Sequence, residues 1–179
     1  FTDGYMRAGI GGDIKWAYCI TCGAWAALSL WDHVAYAPAA SPGYTKALEE
    51  LLTSFQGIAK FFSAYLVDVK GVLNTGPSTS PENSYSLGKG VGSTRLAMSP
   101  ALDLSVLRNI AEAYEYAVAS LPDSDPRKKP HSISAQGFAA KVRQLPNGGL
   151  PRVSERTGLV QEYPAPMGQV SEEADETVD

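Results

Sequence analysis

Two cysteines and two histidines in 179 residues leave little material for a disulfide framework or a multi-ligand soft-metal centre. Charge is also sparse. Only 19% of residues are charged and the formal net charge is −4, too mild to announce a nucleic-acid or membrane partner for the chain as a whole. Long apolar runs are missing: the longest uncharged stretch extends from Trp16 to Trp31, short of the ~20 residues a spanning helix needs. Thr21 and Ser29 dilute it further, so it reads as a buried core helix and no membrane span is expected. No basic-then-apolar leader precedes Gly11, so no signal peptide is expected, and the product is read as soluble or as part of an assembled particle. Sustained two-residue alternation is absent too, which predicts little sheet.

What is present is an ordinary globular composition, 44% hydrophobic, with helical periodicity. Asp13 is a plausible N-cap for a first helix running to about Ala37, where Pro38 stops it. Trp16, Ile20, Ala24, Ala27 and Trp31 recur along it at helical steps. Ser41 and Pro42 then read as cap and first residue of a second helix. Its stripe is Tyr44, Leu48, Leu51, Phe55, Ile58, Phe62, Tyr65 and Val69, widened by Leu52, Ala59 and Leu66 on one flank and by Phe61 on the other. Ser99 and Pro100 repeat the start signal for a third helix, with Asp103 near the positive end of its dipole and Pro122 as its stop. A short fourth helix is expected from about Ser134 to Gln144.

These elements predict an all-α fold: a small bundle of three main helices plus a short fourth, with a long inserted loop and an extended C-terminal arm. The core would span residues 1–121. It includes a loop, 71–99, rich in Gly, Ser, Thr, Pro and Asn and well beyond the ~15 residues usual in compact domains. The arm would span 122–179, and seven of the twelve prolines fall there. Charge is segregated along that arm. Arg127, Lys128, Lys129, Lys141, Arg143, Arg152 and Arg156 face only Glu155 within their stretch, and the last residues carry Glu162, Glu172, Glu173, Asp175, Glu176 and Asp179 without a cation.

Catalytic patterns are weak. Cys19 and Cys22 form a C-x-x-C, but redox work needs an exposed helix N-terminus and zinc needs two further ligands, for which only His33 and His131 are at hand. The motif reads as two small side chains packed well inside the first helix. Gly88 to Thr94 resembles a phosphate loop, yet Lys89 is followed by Gly90 and Arg95 takes the place of a third glycine. His33 and His131 have no nucleophile beside them in sequence, and Glu49, Glu50, Glu112 and Glu115 lie on polar helix faces.

The expectation is therefore a non-enzymatic self-assembly subunit of the viral coat or nucleocapsid kind, with no catalytic residues, metal or cofactor. Its partners would be further copies of itself, through Leu52, Phe61 and Leu66, and the basic arm would meet either single-stranded nucleic acid or the acidic tail of the same or a neighbouring subunit. In the first case Lys89, Arg95, Arg127, Lys128, Lys129, Lys141, Arg143, Arg152 and Arg156 would contact the nucleic acid. An adaptor subunit of a larger complex, and a small thiol-redox or metal-binding protein built on Cys19 and Cys22, are the alternatives.

Overall fold

The computed structural model describes residues 19–80, 85–86, 93–94, 96–155 and 157–163. Among the described residues four α-helices form the body: α1 (Cys22–Tyr36), α2 (Tyr44–Tyr65), α3 (Ala101–Ala119) and α4 (Lys128–Val142). Leu51, Leu52, Phe55, Ala59 and Phe62 of α2 meet Leu107, Ile110, Tyr114 and Val118 of α3 and Phe138 of α4 in one core. The buried face of α2 is thus turned toward the Leu52–Ala59 flank, because α2 lies against α1 on one side and α4 on the other. No helix among the described residues is long and apolar enough to cross a membrane.

The bundle is not purely all-α. Residues 67–97 add three two-stranded antiparallel ladders. The strands β1 (Val67–Val69) and β2 (Val72–Asn74) form a hairpin whose two turn residues, Lys70 (φ 55°) and Gly71 (φ 82°), both adopt the left-handed conformation. That is the turn whose twist matches the flanking strands. β3 (Ser78–Thr79) pairs with β6 (Leu96–Ala97), and β4 (Tyr85–Ser86) pairs with β5 (Ser93–Thr94), so the described residues of the expected loop are paired as antiparallel ladders. Strands of two or three residues are too short to show the alternation that marks a strand in sequence.

The extended arm is corrected as well. Residues 128–142 are helical, and Ala135, Phe138, Ala139 and Val142 are buried in the common core. Pro130 falls in the first turn, where its missing amide costs no intrahelical bond, so the helix starts one and a half turns earlier than Ser134. After it, a 3-10 turn at Pro146–Gly149 and a Val153–Val160 bridge lead the chain back to Tyr163, which is buried.

Two helix starts also differ from the expected ones. The proposed helical residues 13–18 lie outside the described residues, and Cys19 to Thr21 form a turn that leads into α1 at Cys22. Ser41 and Pro42 sit in a turn before α2, whose N-cap is Gly43 at φ 86°.

Candidate active site

Buried polar residues are concentrated in one place. Asn74, Thr75, Ser78, Thr79, Ser80, Ser99 and Asp103 are all inside the protein, on the segment that leaves the β1–β2 hairpin and on the start of α3. A buried hydroxyl or carboxyl is costly without a partner. Among the described residues every buried side-chain nitrogen or oxygen has one.

Asp103 is the hub of the cluster. Its Oδ1 accepts hydrogen bonds from Thr21 Oγ1 at 2.9 Å and Ser78 Oγ at 3.1 Å, and its Oδ2 accepts from Thr75 Oγ1 at 2.8 Å. Burial pushes this carboxyl above its ordinary range, while the hydroxyls of Thr75, Thr21 and Ser78 pull it back. Its place in the first turn of α3 also favours negative charge, through the helix dipole. Ser99 completes the arrangement: its Oγ accepts from the Thr75 amide at 3.0 Å and donates to Asn74 Oδ1 at 3.1 Å, and its own amide donates to the Thr75 carbonyl. The residue that reads as a helix cap in the sequence therefore ties a loop instead, and Pro100 takes the cap position with no side-chain bond.

The returning chain closes the cluster from the other side. The Ser80 hydroxyl donates to Glu162 Oε1, the Ala101 amide donates to the Glu162 carbonyl at 2.8 Å, and the ring of Tyr163 packs on Tyr85 with centroids 4.6 Å apart. Tyr65 at the end of α2 donates to the Pro77 carbonyl at 3.0 Å. The segment 74–80 is thus held by α1, α2, α3 and the C-terminal return. It runs directly, in sequence, toward Glu82.

The residues singled out in the sequence are scattered elsewhere. Lys89, Arg95 and Arg156 lie outside the described residues. Arg127 forms a bidentate pair with Asp125, which holds that carboxyl down at about 2. Lys128 bonds Asp123 and the Leu121 carbonyl, Arg143 pairs with Glu115, and Lys141 donates to the Ser63 carbonyl. Lys129 and Arg152 are exposed. Four of these cations are therefore occupied within the chain, because α4 brings them beside the acids and carbonyls of neighbouring elements. Leu52, at 1% exposure, belongs to the chain's own core, Leu66 is half-buried against it, and Phe61, 51% exposed, stacks on Tyr65. His131 meets Tyr114, its Nδ1 2.6 Å from the tyrosine oxygen. Cys19 and Cys22 are joined to each other in a disulfide, with Cys22 exposed at the first position of α1 rather than deep within a helix.

Nothing in the sequence near Asp103 announces its role. Its three hydroxyl partners come from positions 21, 75 and 78, and isolated Ser and Thr residues carry no local mark of burial. The one legible signal was the density of hydroxyl residues from Thr75 to Ser80, in a stretch otherwise read as a loop.

The family to which the chain belongs is glycosyl hydrolase family 95, whose catalytic-domain model matches residues 1–176. No curated protein matches the chain. Catalytic domains of this family are usually α/α toroids, which accounts for paired helices with ribbon insertions in place of an isolated bundle. The match overturns the expected coat or nucleocapsid subunit and the expectation of a non-enzyme, and points to a glycosidase-related function. The adaptor and thiol-redox alternatives gain no better support.

Proposed function

We propose that the protein takes part in hydrolysis of a glycosidic bond, with the segment 74–80 and Glu162 beside the reacting centre. The family match over residues 1–176 carries this reading. Glycosidases of most families place two carboxyl groups on either side of the scissile bond, one protonating the leaving oxygen and the other assisting water or attacking the sugar. Asp103 is saturated by three hydroxyls and fully buried, so its part is to hold the segment, not to touch a sugar. Glu162 reaches the segment through Ser80, and Glu82 follows Ser80 by two positions in the chain. These two are the candidates for the carboxyl pair.

The test is hydrolysis of a panel of 4-nitrophenyl α- and β-glycosides by the full chain, with Glu82→Gln and Glu162→Gln as variants. Cleavage of at least one glycoside, lost by at least about 100-fold in both variants, is the expected result. A chain that folds and cleaves none of them refutes the reading. Full activity in either variant removes that residue from the pair.

A further inference from the structure

Thr21 stands at a helix start but spends its hydroxyl elsewhere. As the residue before α1 it is the N-cap, a position where a Thr oxygen ordinarily accepts from a backbone amide one turn on. It makes no such bond: the hydroxyl instead donates to Asp103 Oδ1, across 82 residues of chain. The start of α1 thus lacks its side-chain cap. What holds this turn is the Cys19–Cys22 disulfide, whose two half-cystines bracket Thr21 with Cα atoms 5.3 Å apart. Thr21 is fully buried while Cys22, next in the chain, is exposed. A reductant can reach the edge of the clasp, and the hydroxyl it fixes lies inside the site.

We propose that the Cys19–Cys22 disulfide is a redox-controlled clasp that keeps Thr21 on Asp103, and that Thr21 and Asp103 are positioning residues for the segment 74–80. In the exchange a thiolate of a small dithiol attacks one sulfur of the pair and the other departs as a thiolate. The second thiol of the reductant then resolves the mixed disulfide. Two electrons and two protons pass to Cys19 and Cys22, and the dithiol becomes a disulfide. With the turn open, Thr21 is free to cap its own helix or to meet water. Asp103 then keeps only Thr75 and Ser78, two donors where it had three. Those two hydroxyls belong to the segment itself, so its only anchor to α1 through this carboxylate is lost. The consequence for catalysis rests on the glycosidase reading; the mechanical coupling does not.

The experiment is hydrogen–deuterium exchange on the full chain, oxidised and after dithiothreitol, with iodoacetamide labelling to verify that two thiols have opened. The amides to follow are those of Thr75 and Ser99, which bond each other's residues, and those of β3. Reduction is expected to speed their exchange about tenfold, the worth of one hydrogen bond to a charged group. Amides in the middle of α2 and α3 should not respond. Thr21→Val, which keeps the shape and loses the hydroxyl, should exchange fast already and ignore dithiothreitol, and Thr21→Ser should restore the wild-type response. Unchanged exchange on reduction overturns the proposal, as does a Thr21→Val chain that still responds. Equal acceleration throughout α2 and α3 also overturns it, because the disulfide is then a global staple. On any 4-nitrophenyl glycoside the oxidised protein cleaves, reduction and Thr21→Val should each lower kcat about tenfold with KM held. If no glycoside is cleaved, the glycosidase reading fails while the exchange data still decide the clasp.

Discussion

Replacing Asp103 separates its charge from its hydrogen-bonding capacity. In Asp103→Asn the amide oxygen can take the Oδ1 position and keep the two bonds from Thr21 and Ser78. The NH2 then faces Thr75, whose hydroxyl must turn from donor to acceptor. One bond is reversed and two lose their charge assistance, while the cost of burying an ion disappears. The balance is a loss of about 1–2 kcal/mol. Asp103→Ala leaves three buried hydroxyls without their acceptor, and at about 1–3 kcal/mol for a stranded group, incompletely additive, the loss is about 3–5 kcal/mol. Urea denaturation across pH supplies a sharper check. The folded-state carboxyl lies above its ordinary 3.8, so the native protein holds this proton more tightly than the unfolded chain does. Its contribution is therefore fully present below 3.8 and is lost as pH rises through the raised folded value. The stability advantage of wild type over Asp103→Asn should shrink across that interval and be flat above it. An advantage that grows with rising pH, or an Asp103→Ala chain within about 0.5 kcal/mol of wild type, would refute this account of the cluster.

The remaining predictions probe other parts of the fold. Burial, and after it the nearby Arg127 cation, hold His131 below its usual range, so the unfolded chain takes up the proton first. The stability this pair with Tyr114 gives is complete above about 6.5 and lost as pH falls through the depressed value, and His131→Asn should flatten denaturation midpoints over that window. Phe138→Ala should cost about 3–5 kcal/mol in urea unfolding, because its ring is buried between α4 and the rest of the core. A cost below about 1 kcal/mol would return residues 128–142 to the status of a loose arm. At Gly76, φ is 127° and an added Cβ would lie 2.7 Å from Met98 Sδ and 3.1 Å from the Ala97 carbonyl oxygen. Gly76→Ala should therefore lower Tm by at least about 4 °C, the equivalent of ~2 kcal/mol for a chain of this size.

The long helices were readable because burial against several partners repeats at three- and four-residue steps. Leu51, Phe55 and Phe62 of α2, and Leu104, Leu107 and Tyr114 of α3, were legible as core for that reason. α4 was obscured by its composition: Pro130 mimics a break, and a buried face made largely of alanine around Phe138 and Val142 gives little periodic signal. The ladders were hidden by their brevity. The site was hidden by something different in kind. Asp103 is meaningful only with Thr21, Thr75 and Ser78 around it, and the sequence places those residues in an apolar helical stretch and a polar loop with no sign that they converge. Within the seven-cation segment the pairing was equally hidden: Arg127, Lys128 and Arg143 meet Asp125, Asp123 and Glu115 once α4 has formed and packed.

Two of the bonds that define the site, Thr21 to Asp103 and Ser80 to Glu162, each join residues 82 positions apart. Closing loops of that length is entropically slow and is repaid only after the intervening helices have packed. The helical body can therefore form around Leu107, Phe55 and Phe138 while the carboxylates are still in water. The hydroxyl cluster becomes dry in the closing step, when both distant segments arrive. Anything that delays either arrival, such as a nick near residue 150, leaves a helical protein with an unfinished hydroxyl cluster, and circular dichroism alone does not tell it from the finished one.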